Sequence, residues 1–237
     1  MKLKKIGTLF LCGLLFSCDR DTIRVSDEIT TVTYAFSDYT TLEVSNSFNA
    51  FVSFSDTEEE VQVEANENIL GRIIVVKEGS TLVVRLKRNT NLKGNVTLNV
   101  YIKTKELSNF RASGASNITL ENQMISQTAN IKLRGSSNFE GEVNLDRLEL
   151  DARGSSSIDM FGSVDQCNVS LSGSSDLRDY DLEVGQLDIE LTGASGAFLS
   201  VTETIDIDAA GASTLNYRGN ARIVRERLSG ASEIRRR

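Results

Sequence analysis

Four carboxylates crowd two short stretches of this chain: Asp188 and Glu190 in "LDIEL", and Asp206 and Asp208 in "IDIDA". One residue separates the acids of each pair, so on an extended strand both project from the same side. If the two stretches lie side by side, four acids meet on one face. Such a cluster could collect Ca²⁺, which takes several oxygen ligands. It could also supply an acid and a base for cleaving a glycosidic bond. A plainer arrangement competes with both. The next equivalent stretch carries Arg225 and Arg227 at the same two places, so Asp206 would face Arg225 and Asp208 would face Arg227. Lys132 would face Asp151 in the same way. Cross-strand ion pairs of this kind are ordinary on a sheet surface. They are the preferred reading, and the four acids stand only as minor calcium candidates. No Gly-Gly-x-Gly-x-Asp run accompanies them to strengthen the metal reading.

Other chemistry is excluded by composition. The chain has no His, no Trp and no Pro. Without His there is no Ser-His-Asp or Cys-His nucleophile, and the commonest zinc and copper ligand is missing. A formal charge of −7 argues against a nucleic-acid partner, which calls for a basic face. No catalytic residue and no cofactor are assigned.

The first residues read as an address. "MKLKK" is a basic segment, and "IGTLFLCGLLF" is an apolar run too short to span a bilayer comfortably as a helix. "LFSC" follows, ending at Cys18. A small residue just before a Cys at this point resembles a bacterial lipobox, where the leader is cut before the Cys and the Cys is acylated. Residues 1–17 are therefore read as a lipoprotein signal peptide and Cys18 as the lipidation site, carrying palmitate-type acyl chains. Losing residues 1–17 removes Lys2, Lys4 and Lys5 and no acid, which moves the charge from −7 to −10. The membrane would then be held through the lipid, since an acidic body has no attraction for anionic headgroups. Of the three Cys, Cys12 leaves with the leader and Cys18 is acylated. Cys167 is left without an intramolecular partner.

The elements that must position these residues announce themselves through a repeat. Gly114, Gly135, Gly154, Gly173, Gly193, Gly211 and Gly230 each begin a Gly-Ser/Ala-Ser phrase, at spacings of 21, 19, 19, 20, 18 and 19. A period near 20 with strand-like content means a solenoid. Numbering each Gly as position 0, positions −4, −2 and +4 are apolar almost throughout. Position −4 runs Phe110, Ile131, Leu150, Val169, Ile189 and Ile207 and then breaks at Glu226; position +4 runs Ile118, Phe139, Ile158, Leu177, Ala197, Leu215 and Ile234. Odd positions are mostly charged or polar. This is a two-residue period, which a helix would not produce. Stacked coils about 4.8 Å apart form a parallel β-helix or a close relative.

The same parity predicts an inward Gly, placed where close backbone approach excludes a Cβ. It predicts an inward Ser at +2 in every coil, with the hydroxyl bonded to the adjacent coil. Position +1 (Ala115, Ser136, Ser155, Ser174, Ala194, Ala212 and Ala231) should form an outward stripe of small residues. Cys167 falls in an inward column with Ala129, Leu148, Leu187, Ile205 and Val224, as a structural thiol rather than a nucleophile.

Upstream, residues 18–40 read as a polar tether leading into a first strand, and residues 41–110 as an N-terminal β portion. In the latter, "IIVVKEGSTLVVRL" is a hairpin turning at "KEGS" and "NENILGR" is a short break with one helical turn. Residues 111–237 form the Gly-Ser/Ala-Ser solenoid.

The leader, the strands ending in "ELSNFRASGASNITL" and the repeated G-[AS]-S coils together resemble the family called putative auto-transporter adhesin, head GIN domain, over residues 40–230 or so. That resemblance implies a right-handed parallel-β architecture in a secreted or lipid-anchored envelope protein, with no catalytic residues to carry over. Here Lys105 stands where a Pro often precedes the Leu of the linking loop, and Asn46-Ser47 where a Gly often sits. The fold expected is thus all-β, a β-helix-like solenoid with coils of about 19–20 residues after a strand-rich portion. The function expected is a non-enzymatic outer-membrane lipoprotein presenting a rigid surface for adhesion or partner binding, with a protein partner, a glycan partner or a homo-oligomer left open. The alternatives are a carbohydrate-binding module, which would use exposed aromatics among Phe161, Tyr180, Phe198 and Tyr217, and a glycan-active β-helix enzyme, which would need long side loops that a uniform period hardly leaves room for.

Overall fold

The structure is a computed structural model and describes residues 22–237. Strands dominate it, and among the described residues the one helical element is the short 3-10 turn Glu67–Arg72 that the "NENILGR" break anticipated.

Two stacks of strands meet along a shared corner at the Gly phrases. Before the corner, Thr41–Ser45 pairs in parallel with Asn109–Ser113, which pairs with Met124–Gly135, and so on to Arg222–Leu228. After the corner, Asn49–Phe54 pairs with Asn117–Leu120, and that stack ends at Glu233–Arg236. Register is held by the corner phrase itself: Gly135 stands opposite Gly154, and Gly154 opposite Gly173. Because each coil repeats the same apolar positions, the stacked columns bury without gaps. Ile131, Leu150, Ile189 and Ile207 are essentially inaccessible, as are Ile118, Phe139, Ile158, Leu177 and Leu215. Each such side chain contributes on the order of 1.5–3 kcal/mol of apolar transfer. Cys167 is buried in its predicted column.

The N-terminal portion belongs to the same sheet. Its hairpin, Ile73–Glu78 with Thr81–Leu86, is antiparallel as expected, and Thr81–Leu86 then pairs in parallel with Thr41–Ser45. Leu98–Thr104 pairs with Asn49–Phe54, and the antiparallel strands Glu60–Asn66 and Ile29–Tyr34 follow outward. These antiparallel strands close one end of the parallel stack and cover an edge that would otherwise be open. The described part of the 18–40 segment is more than a tether, since Thr22–Arg24 pairs with Asn91–Lys93 and Ile29–Tyr34 joins the main sheet.

Two details of the parity reading are corrected. The corner Gly residues are exposed rather than inward. A positive φ, +81° at both Gly173 and Gly193, turns the chain at that residue, so position 0 and position +1 both face out and the inward parity resumes at the Ser. The exclusion of a Cβ was anticipated, but it operates on the outer corner. In the last coil, Val224 leaves the inward column. A bulge lets Ile223 stand opposite Ile205 and Arg225 opposite Asp206, and Val224, the extra residue between them, is 48% exposed.

Candidate functional site

The repeated Ser is a structural device. Ser116, Ser137, Ser156, Ser175, Ser195 and Ser213 are buried, as parity requires. Their hydroxyls, however, mainly bond within the coil and not between coils. Each donates to the carbonyl three residues earlier: Ser137 to Arg134 at 2.9 Å, Ser175 to Ser172 at 3.0 Å, Ser195 to Thr192 at 2.8 Å and Ser213 to Ala210 at 2.9 Å. The hydroxyl thus satisfies a carbonyl that the corner removes from the ladder. Coil-to-coil bonds are secondary, as where Ser175 Oγ accepts from the Ser156 amide at 3.3 Å. Buried in this way, these six hydroxyls are not presented to a ligand.

The four calcium candidates lie where their spacing put them. Asp188 stands opposite Asp206, and Glu190 opposite Asp208. Asp206 is drawn to Arg225 at 2.6 Å, and Asp208 lies 3.8 Å from Arg227. Among the described residues, no group of three or more acids or thiols is arranged to hold a metal ion. Lys132 is opposite Asp151 in register, but the carboxylate takes a bidentate bond from Arg134 at 2.8 and 3.0 Å and a second fork from Arg153. Hydrogen bonding from Arg134 holds the Asp151 carboxyl below the usual carboxylate range, with Arg153 adding to it against partial burial. Cys18 lies outside the described residues.

The outward column at +3 was missed by sequence reasoning and runs the length of the molecule. Asn99, Asn49, Asn117, Asn138, Ser157, Asp176, Gly196, Thr214 and Glu233 are successive partners. At its N-terminal end the amides bond in series. Asn138 donates to Asn117, Asn117 to Asn49, Asn49 to Asn99, and Asn99 to the Glu64 carboxylate, at 2.7–3.0 Å. Ladders of this kind add coil-to-coil cohesion.

One coil vacates the column. Gly196 has no side chain where the other positions carry one, and a Cβ there would meet Asp176 Oδ1 at 2.8 Å and the Phe198 ring at 3.4 Å. The preceding coil is also irregular. Met160 and Phe161, two residues, are opposed by the three residues 179–181, a bulge. Asp179 adopts φ +126°, unusual for a residue with a side chain, and its Oδ1 accepts the Asp181 amide at 2.9 Å. Ser200 Oγ pins the bulge by donating to the Tyr180 carbonyl at 2.7 Å. The result is a groove of about 600 Å³. Phe198 and Tyr180, half-buried, meet edge to face with centroids 6.0 Å apart, and the Arg218 guanidinium lies 4.1 Å from the Tyr180 centroid. Asp176, paired with Arg178 at 2.9 Å, and Thr214 bound the opposite side, while Ala194 and Ala212 of the small-residue stripe leave it open. Of the four aromatics singled out from sequence, Tyr180 and Phe198 come together here, Phe161 is exposed opposite the bulge without lining the groove, and Tyr217 is buried. Two signals in the sequence pointed to this place: the Gly at +3, and the 20-residue step between Gly173 and Gly193.

With this geometry in place, the comparisons decide the family. The family described as "Putative auto-transporter adhesin, head GIN domain" matches residues 38–221. The chain belongs to that family. Solved structures agree on the fold. A putative adhesin from Bacteroides fragilis NCTC 9343 superposes with a TM-score of 0.81 at 17% identity, covering 91% of this chain and 100% of that one. A putative lipid binding protein from Parabacteroides distasonis ATCC 8503 gives 0.75 at 19% identity, covering 91% and 99%. A putative adhesin from Parabacteroides merdae ATCC 43184 gives 0.72 at 16% identity, covering 92% and 99%. No curated protein matches the chain. The resemblance read from the leader and the G-[AS]-S coils is thus borne out as family and as fold.

Proposed function

We propose that this GIN-domain protein is a non-enzymatic, lipid-anchored protein of the cell envelope that presents its solenoid as a rigid surface for adhesion or partner binding. The observation that carries the reading is the continuous stack itself. Coil-to-coil pairing runs from Thr41–Ser45 to the last strands with only local bulges, and from Gly135 to Gly211 each corner Gly carbonyl accepts the amide that follows the Gly of the next coil. Such a body has fixed outer faces and little freedom to close around a substrate. The family's description, "Putative auto-transporter adhesin, head GIN domain", supports an outer face directed at something else. The leader and the "LFSC" junction support an anchor at Cys18. The relative described as a lipid binding protein is the one reason to keep an apolar partner in view.

Fractionation tests the anchor, and adherence tests the role. Wild-type chain should sediment with membranes and Cys18→Ser should appear in the soluble fraction. Beads coated with the Cys18→Ser chain should adhere to a surface bearing the partner. An uncoated-level signal on host-cell, bacterial and matrix surfaces alike would remove the adhesive reading.

A further inference from the structure

We infer that the groove between the Tyr180 bulge and the Gly196 notch is a binding site for a neutral saccharide unit. The inference deepens the proposed role and rests on it, naming the class of partner that this face would take.

Charge excludes most alternatives. The groove and its rim carry Asp176, Asp179, Arg178 and Arg218, two of each sign, and Asp176 with Arg178 already neutralise each other. An anionic ligand would meet a carboxylate for every guanidinium, and a cation the reverse. A neutral ligand meets no such penalty. Shape and lining narrow it further. Two rings line the groove, with Phe198 beside the Cβ-less Gly196 and Tyr180 perpendicular to it. The walls are polar and able to bond: carboxylate oxygens of Asp176, the Thr214 hydroxyl and the Arg178 guanidinium. A ligand that fits must be apolar on one face and rich in hydroxyls around its rim. A pyranose ring has that distribution, with axial C–H groups on its face and hydroxyls at its equator. Sites of this kind combine an apolar platform with a few placed polar groups. A purely aliphatic chain would leave the polar rim unmatched.

The groove is also a built departure from the repeat. Two changes make it: the missing +3 side chain, and the inserted residue of the 179–181 bulge, where Asp179 is held at φ +126°. A non-Gly residue in that region is strained, and such strain gathers at functional segments. The small residues Ala194 and Ala212 leave the groove open along the corner stripe, so further sugar units of a chain could pass over it.

The test uses the full chain carrying Cys18→Ser, applied to an array of neutral gluco-, manno-, galacto- and N-acetylglucosamine-configured tetrasaccharides, with lauric acid as a separate probe. The best oligosaccharide is then titrated by calorimetry. Tyr180→Ala and Phe198→Ala should each weaken binding by at least about tenfold, and Gly196→Thr, which restores the column, should do the same. Tyr101→Ala, at an exposed aromatic in the N-terminal portion, should bind as wild type. Thermal midpoints check that each variant is folded, and the three groove variants act at separate atoms, so loss of one fold leaves two tests. No oligosaccharide binding by wild type, binding of laurate alone, or binding unaffected by both ring removals would each overturn the inference. Adherence by the bead assay separates the two levels. If beads adhere but no sugar binds, only the saccharide site fails; if beads do not adhere, the wider role fails.

Discussion

Gly193 stands directly over Gly173, and a Cβ built at Gly193 would lie 2.5 Å from the Gly173 carbonyl oxygen. That oxygen already accepts the Ala194 amide at 2.7 Å. The corner therefore stacks backbone on backbone, with φ +81° at both residues. Gly193→Ala has to strain the backbone and push against a carbonyl that cannot swing away. It should destabilise the domain by about 2 kcal/mol or more. Gly71→Ala is the control, since nothing lies within 4 Å of its Cβ position and its φ is unremarkable. Urea denaturation of the two variants checks the contrast, and equal midpoints would mean that the corner is not tightly stacked.

Ser175 and Ser174 test the parity on adjacent residues. Ser175 is fully buried, donates to the Ser172 carbonyl and accepts from the Ser156 amide, whereas Ser174 is exposed. Ser175→Ala takes the donor from the Ser172 carbonyl and the acceptor from the buried Ser156 amide, and should cost roughly 1–3 kcal/mol. Ser174→Ala should change stability by less than about 0.5 kcal/mol. The reverse order, read from the same denaturation curves, would turn the strand over.

Much of this was legible because a solenoid writes its constraint once per coil. The apolar columns, the buried Ser, the exposed +1 stripe, the Asp206–Arg225 pair and buried Cys167 all follow from one period and one parity. What was not legible depends on local departures that a periodic reading averages away. The positive φ at the corner resets the parity for two residues, so Gly135 and its equivalents turn outward. The partner of each Ser hydroxyl is fixed by turn geometry rather than by column. Asn46 and Ser47, both at φ near +66°, form a corner without Gly, opposite Gly114 and Ala115. The Asn46 Oδ1 accepts the Leu86 amide at 3.2 Å, so the side chain at this corner has a partner in the neighbouring strand, and Asn is among the residues that best accept that φ. The groove was hidden for the same reason, since its residues are those that break the repeat.

Asp151 should give the sheet face an acid-side pH dependence. Its folded-state carboxyl is held below the ordinary value by Arg134 and then Arg153. The stabilisation is therefore present above the ordinary carboxylate range and is lost as pH falls through the folded value. Both guanidinium groups are substantially exposed, so solvent screens the pair. Asp151→Asn should cost about 1 kcal/mol at pH 7, and the difference from wild type should close towards pH 2. A difference that is constant across that range would show that the loss is one of packing and not of charge.

Cys167 should give a dependence at the alkaline end. The thiol is wholly enclosed in its column between Leu148 and Leu187, and burial alone pushes it up to about 12. In the unfolded chain it ionises near its ordinary value of 9.0. Between these two values the unfolded state has released a proton that the folded state keeps, so stability falls as pH rises through that window. Cys167→Ala removes the titration and leaves a small cavity. At pH 7 the variant should be less stable by about 1–2 kcal/mol, and the gap should narrow steadily from pH 9 upward as the wild type loses its advantage. The same thiol gives a kinetic test. In a chain carrying Cys12→Ser and Cys18→Ser, a maleimide at pH 7.5 should leave the native domain unlabelled and react within minutes once urea unfolds it. Prompt labelling of the native chain, together with a pH-independent stability gap, would place the sulfur at the surface and reverse the strand parity on which the coil assignment stands.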